Sequence, residues 1–418
     1  MIHQPPSGAR DLLPLDVAQK RWIEERLRPV FEQWGYHRII PSTVERLDTL
    51  MAGGAIDAST AIQLQETEED MPLALRPEVT ASIARSAVTR MAGSSYPQRL
   101  YYNANVFRRH REGYHGSQQE FYQAGVELLG AGGLLADAEI VLLLRQCLQS
   151  LGLQKSRVIL GEAGLTRSLL RSFPPALQDK VRHAIAHLNR LTIEALPLSP
   201  AQRDRALFLF DLRGRPADVL QRVATLDLDE SERATLENLK SLVDLLADYF
   251  PSPSQETSPS TAEVQPLILD LSLIQPWDYY TGIVFEVVCE TDSGQLVLGQ
   301  GGRYDRLLSL YHPQEEDIPG IGFALNIEDL HQVLLPTGQL PRATPPTDTL
   351  VVPRTPQAFS AAFSYAQTLR ESHDSGRVEV DLQPRPTTEA VRDYARSRAI
   401  ARIAWVDGHG LTETESVL

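Results

Sequence analysis

Apolar positions along this chain recur with the spacing of a helix, then of a strand, and keep alternating to the end. Between residues 16 and 34, Val17, Ile23, Leu27, Val30, Phe31 and Trp34 fall mostly on one helical face, which predicts an amphipathic helix stopped by Gly35. Pro29 lies inside that stretch and predicts a kink, since it has no amide hydrogen to donate. The strand YHRII should follow, ending at Pro41. Residues 61–76 read as two short strands around an acidic turn, and 78–91 as a helix that buries Ile83, Ala84, Ala87, Val88 and Met91. RLYYNANVFRR and QEFYQAGVELLG, within 99–130, predict two strands joined by a glycine-bearing loop, with a helix at 136–151 behind them.

From about 160 to 250 the pattern is helical, and PSPSQETSPSTAEVQ (251–265) has the composition of a mobile loop. Strand patterns then return in LILDLSL, IVFEVVCE, QLVLGQGG and GIGFALNIEDL, so a helical insert within a mainly antiparallel sheet domain is the simplest account. Residues 337–348 look like a linker. The tail beyond reads β-α-β-α-β, with Phe359, Ala362, Phe363, Ala366 and Leu369 striping its first helix, and predicts a small three-layer α/β domain. The expected division is 1–160 and 266–336 as two parts of one core, 161–265 as the insertion, and 344–418 as the tail.

Composition narrows the classes. No run of about 18 apolar residues occurs to span a bilayer, and the start, MIHQPPSGARDLL, lacks the basic and apolar stretches of a signal peptide. Two cysteines, Cys147 and Cys289, provide neither a disulfide framework nor a metal-ligand cluster, so the reducing cytosol is the expected compartment. Forty basic against 54 acidic residues leave a net charge of −14, which repels a phosphate backbone unless a local basic patch intervenes.

Seven segments, in order across roughly residues 5 to 335, resemble class II histidyl-tRNA synthetase: PPSGARDLLP, WGYHRIIPSTVE (similar to motif 1), LALRPEVTASIAR, VFRR…EFYQAGVELLG (similar to motif 2), WDYYTGIVFE, GGRYDRL and GIGFAL…E (similar to motif 3). The resemblance implies an α+β fold, a class II synthetase-like antiparallel sheet core with a helical insertion, plus a small truncated α/β C-terminal domain like the family's anticodon-binding module. Two kinds of protein share this scaffold, the synthetase and the regulatory subunit of ATP phosphoribosyltransferase.

An amino-acid pocket needs an anion for the ammonium and acceptors for the imidazole N–H groups. By resemblance, Glu78 and Thr80 of RPEVT hold the ammonium with help from Gln123, while Glu127 and Tyr280 face the imidazole and Tyr304 of GGRYD completes the site. Independently, the spacing of four sets Gln123 and Glu127 on one side of a strand. Taken singly, Glu78 could equally be a helix-start carboxylate, Gln123 and Glu127 a solvated face, and the tyrosines core aromatics.

The nucleotide side departs from the synthetase pattern. Arg108 of VFRR matches the motif 2 arginine, but Gln275 stands where the family has the arginine before its DYY motif, and Glu328-Asp329 replaces the Glu-Arg ending motif 3. In the motif 2 loop His110 replaces a glutamate, and Ser117 and Gln119 replace arginines. Replacing Arg by Gln and Arg by Asp makes the cavity about three charge units more negative; at an effective dielectric near 20, each charge at about 4 Å is worth roughly 4 kcal/mol before solvation offsets it. Arg109, Arg111 or Arg303 would have to substitute.

The tail, 344–418, holds eight arginines, no lysine and ten acidic residues, a balance of −2, and the last strand and helix of the family's domain look absent. The expectation is therefore a non-catalytic regulatory subunit that binds histidine as effector and needs no cofactor or metal. The resemblance further implies self-association as a class II-type dimer, a hetero-octamer of four regulatory and four short-form ATP phosphoribosyltransferase catalytic subunits, and no tRNA or membrane partner. A divergent active histidyl-tRNA synthetase is the alternative, and an unrelated amino-acid ligase on the same fold is a third reading.

Overall fold

Helix α1 (Pro14–Gln33) buries Gln19, Ile23, Leu27, Val30 and Phe31, the stripe its spacing predicts, and runs on through Pro29. Gly35 follows it with φ +81°, a left-handed conformation that only a residue without Cβ adopts freely. The computed structural model describes the chain except residues 1–4, 7, 55, 57, 66–70, 110–117, 154–155, 251–266, 275–278, 293, 373–375, 384 and 418. The acidic turn, the Pro/Ser-rich stretch, His110, Arg111, Ser117 and Gln275 thus lie outside the described residues. Two compact units result: Met1–Asp11 with Gln19–Leu340, and Leu12–Ala18 with Pro341–Leu418.

In the first unit, YHRII contracts to β1 (His37–Arg38). Next come β2 (Val44–Arg46), α2 (Leu47–Met51), β3 (Ile62–Gln63) and β4 (Leu73–Leu75), whose strands form a small sheet in the order β2-β4-β3. The sequence continues with α3 (Thr80–Val88), β5 (Gln98–Phe107), β6 (Glu120–Leu129), α4 (Leu134–Ser150) and β7 (Arg157–Glu162). The helical stretch comprises α5 (Ala163–Leu170), α6 (Pro175–Ala186), α7 (Arg190–Ala195), α8 (Pro200–Phe210), β8 (Arg213–Gly214), α9 (Pro216–Val223) and α10 (Glu230–Leu246). The unit closes with β9 (Leu267–Asp270), β10 (Ile283–Thr291), β11 (Gly294–Arg303), β12 (Gly320–Asn326) and α11 (Ile327–Leu334).

Nine strands make one sheet, in the order β1-β5-β6-β12-β11-β10-β7-β9-β8. Its pairs are antiparallel except β1 with β5 and β7 with β9. Alternation along β5 and β6 assigns the two faces. Tyr101, Ala124, Val126 and Leu128 join α1, α4 and the helical stretch in one large core, whereas Leu100, Tyr102, Ala104 and Val106 join α3, Tyr279 and Tyr304 in another. Gln123 and Glu127, being odd-numbered in β6, fall on the second face.

The second unit contains β13 (Thr349–Pro353), α12 (Phe359–Glu371), β14 (Val378–Val380), α13 (Thr388–Ser397), β15 (Arg402–Asp407) and β16 (Gly410–Ser416). Two expectations are corrected here. The tail has a fourth strand: β16 pairs antiparallel with β15, giving the order β14-β13-β15-β16. Apart from the exposed Leu411, its LTETES sequence is polar and carries no alternating hydrophobic signal. Side chains hold it instead, with the Thr412 hydroxyl donating to Trp405 O at 2.9 Å and Arg392 Nε to Glu415 at 2.6 Å. On α12 only Ala362 and Ala366 are fully buried, while Phe359 and Phe363 are 48% and 53% exposed.

Candidate functional site

Every candidate pocket residue lies on the second face. Glu78, Thr80, Arg108, Gln123, Glu127, Tyr280 and Tyr304 line one cavity of about 270 Å³, joined by Thr60, Tyr102, Tyr279 and Gln300. β6 supplies Gln123 and Glu127, the start of α3 supplies Glu78 and Thr80, and the segments flanking β10 and β11 supply Tyr280 and Tyr304.

Glu127 sits at the base, 1% exposed. One carboxylate oxygen accepts from the Thr80 hydroxyl at 2.6 Å, and the other accepts a short hydrogen bond from the Tyr304 hydroxyl. Burial pushes this carboxyl up to about 8, against the pull of those two donors, and Glu78 adds to the rise. Such a group is poised to exchange its proton for a ligand N–H. Gln123, 6% exposed, donates to Asn326 Oδ1 at 3.0 Å, so a solvated face is not its setting.

Glu78 stands at a helix start and also faces the cavity. Its carboxylate accepts from Ala81 N at 2.9 Å at the start of α3, and it still lines the cavity. Burial raises its pKa, and the amides of Ala81 and Thr80 with nearby Arg108 oppose that. Arg108 donates from Nε to Pro77 O at 2.7 Å, and burial lowers its pKa.

Glycines make the room. A Cβ at Gly322 would collide with Glu127 Oε2 and Val126 O, one at Gly320 with the Tyr304 ring, and one at Gly302 would stand 2.7 Å from Tyr280 Cδ1. The aromatic wall is continuous: Tyr279 meets Tyr280 edge-on with centroids 4.8 Å apart and Tyr304 at 5.7 Å. Motif matching passed over Tyr102, Tyr279, Thr60 and Gln300. Tyr279 was signalled by its place in DYYTG, while the other three carry no local pattern.

At the end of the motif 3-like segment, Glu328 accepts from Tyr122 N at 3.1 Å and faces Arg10 at 3.7 Å, and Asp329 beside it is buried. Arg303 is committed elsewhere: Nε donates to Asp137 Oδ1 at 2.9 Å and Nη1 to Asp305 Oδ1 at 3.1 Å. Arg109 is exposed, its amide donating to Thr60 O at 2.8 Å. Among the described residues, no group of three or more His, Cys, Asp or Glu could hold a metal, and no helix is long and apolar enough to cross a membrane.

Comparison with known proteins gives a consistent answer. The histidyl-tRNA synthetase family model matches residues 8–330. ATP phosphoribosyltransferase regulatory subunits of Nostoc punctiforme and Nostoc sp. PCC 7120 are 63% and 61% identical, each over the whole of both chains. Among solved structures, a protein of Bacillus halodurans described as an ATP phosphoribosyltransferase regulatory subunit/histidyl-tRNA synthetase superposes with a TM-score of 0.78 at 26% identity, covering 98% of this chain and 99% of its own. The histidyl-tRNA synthetase of Nostoc sp. PCC 7120 superposes with a TM-score of 0.75 over 97% of this chain and 91% of its own, but at 19% identity it shares the fold alone. One organism thus carries both proteins, and this chain is about three times as identical to the regulatory subunit as to the synthetase. The chain belongs to the ATP phosphoribosyltransferase regulatory subunit family, built on the fold of histidyl-tRNA synthetase.

Proposed function

We propose that this chain is a histidine-binding regulatory subunit that catalyses nothing itself. It activates the short-form catalytic subunit of ATP phosphoribosyltransferase and carries histidine feedback on the first step of histidine biosynthesis, in the cytosol. The observation that carries the reading is the convergence of Glu78, Thr80, Gln123, Glu127, Tyr280 and Tyr304 on one cavity around a buried carboxylate. Glu78 and Thr80 receive the ammonium, and Glu127 with Tyr280 and Tyr304 receives the imidazole.

Loss of adenylate chemistry follows from charge. Activation of an amino acid needs cations around a developing phosphoryl centre. Gln275 and Asp329 stand where the synthetase pattern has arginines, and Arg303 is tied to Asp137 and Asp305 rather than free to replace them. The tail is no anticodon reader, and class II-type dimers assemble with catalytic subunits four to four. Histidine binding and subunit arrangement are coupled, so each biases the other.

The test is to co-purify the chain with a short-form catalytic subunit and assay phosphoribosyl transfer with and without histidine. A stable complex, activation, and inhibition by histidine are expected. Absence of a complex, or histidine-dependent ATP–pyrophosphate exchange by the chain alone, overturns the reading.

A further inference from the structure

Arg303 precedes Tyr304, yet it belongs to the other side of the sheet. Tyr304 packs with Tyr102 and Tyr279 on the pocket face, while the Arg303 side chain, 7% exposed, reaches Asp137 in the first turn of α4. It also donates to Asp305 at 3.1 Å and Ala131 O at 3.4 Å. The backbone around it is stitched to the turn that follows Tyr280. Thr281 N donates to Arg303 O at 2.7 Å, and Asp305 N donates to the Thr281 hydroxyl at 2.9 Å. Gly282 leaves space for the arginine stem, since a Cβ there would stand 2.9 Å from Arg303 Cδ. Arg167 donates to Tyr280 O at 2.9 Å from the same side.

We propose that Arg303 is a positioning residue for the amino-acid pocket: its guanidinium, forked between Asp137 and Asp305, fixes the strand end carrying Tyr304 against the start of α4, its backbone carbonyl holds the turn after Tyr280, and together they set the imidazole-reading geometry at Glu127. This rests on the histidine reading given above. A planar fork can hold two carboxylates at once, whereas an ammonium on a flexible stem is a single point charge. Misplacing Tyr304 removes a donor from Glu127 without touching the ammonium end at Glu78 and Thr80.

The experiment compares wild type, Arg303→Lys, Asp305→Asn and Tyr304→Phe in the full chain. Calorimetry reads binding of L-histidine and of 3-(2-thienyl)-L-alanine, an analogue without ring N–H groups. Carbon-13 NMR of labelled glutamate follows the Glu127 carboxyl, which Glu78, Tyr102, Tyr280, Tyr304 and Thr80 face, in the unliganded protein. Arg303→Lys is expected to weaken histidine about tenfold, narrow discrimination against the analogue, and move the Glu127 titration, with Asp305→Asn acting in the same direction but less. In a Tyr304→Phe background Arg303→Lys should change histidine binding by less than twofold. A purely structural role would instead weaken both ligands alike and add to Tyr304→Phe, which overturns the proposal. An unmoved titration together with unchanged binding overturns it as well. If wild type binds no histidine while Arg303→Lys still moves the titration, the clamp stands and the ligand assignment falls.

Discussion

Glu127 shows at the scale of one residue how a buried carboxyl works against stability. Its carboxyl is raised by burial to about 8, from an ordinary value of 4.5. Between those values the folded chain holds a proton that the unfolded chain has released, so folding stability falls as pH rises through the window, and the cost stays in full above it. Replacing Glu127 by Gln removes the titration while keeping acceptor and shape. The melting temperature of Glu127→Gln relative to wild type should therefore climb as pH goes from 5 to 9; parallel curves would show that the carboxyl bears no such burden. Binding should move oppositely. A ligand N–H donating to Glu127 favours the carboxylate, so histidine should bind with proton release near pH 7. Glu127→Gln should weaken it by about 10- to 100-fold, the worth of one charge-assisted hydrogen bond. Titration calorimetry in two buffers of different ionisation enthalpy reads both quantities.

Elements place these residues, and they differ in how plainly the sequence announces them. β6 was legible, since its period-two alternation separates Val126 and Leu128 from Gln123 and Glu127 and the structure buries both sets. β16 was not, because pairing satisfies its backbone while its side chains stay polar and exposed. Phe359 and Phe363 misled in the other direction: a helical stripe of aromatics reads as core, but in α12 Ala362 and Ala366 are buried with Tyr365 and Leu369 packed beside them, and both phenylalanines stay exposed. For the site, motifs delivered the six residues that share a cavity, yet not the reason they can share it. That reason lies in glycines of β12 and β11, whose role appears only once the neighbouring strand is seen. Gly322→Ala should accordingly cost about 1–3 kcal/mol through overpacking against Glu127 and Val126 and abolish histidine binding. Gly132→Ala, whose Cβ would meet Pro319 at an ordinary 3.6 Å, should leave both unchanged. Denaturant melts of the pair decide it, and equal losses would remove the close-approach argument. A capping box supports the helical stretch independently, with Asp229 accepting from Glu232 N and Glu232 accepting from Asp229 N at the start of α10. Asp229→Ala should lower stability by about 1 kcal/mol without altering histidine affinity.

At the scale of the whole molecule the question is whether a synthetase scaffold can keep its shape and still decline RNA. Shape answers nothing, since the Nostoc synthetase superposes with a TM-score of 0.75, close to the 0.78 of the Bacillus halodurans protein. Charge does answer. With −14 overall, binding a polyanion requires a local surplus of free cations, and the tail is where the fold would supply it. Five of its eight arginines are already paired: Arg354 with Glu413, Arg385 with Asp381, Arg392 with Glu389 and Glu415, Arg396 with Glu389 and Asp393, and Arg398 with Glu379. Arg370 and Arg377 donate to backbone carbonyls of their own unit. Apart from the mostly buried Arg385–Asp381, these pairs are at least partly exposed and contribute little to stability, yet each one sets a carboxylate beside the cation that a phosphate would have to claim. Counterion release from the tail, a large source of RNA affinity, is therefore expected to be small. Filter binding of histidine tRNA across about 50 to 200 mM salt should give no saturable complex and a slope of log K against log salt near zero. A slope of −3 or steeper would mean that several phosphates are neutralised somewhere on this surface, and that the pairing of the tail arginines yields when RNA arrives.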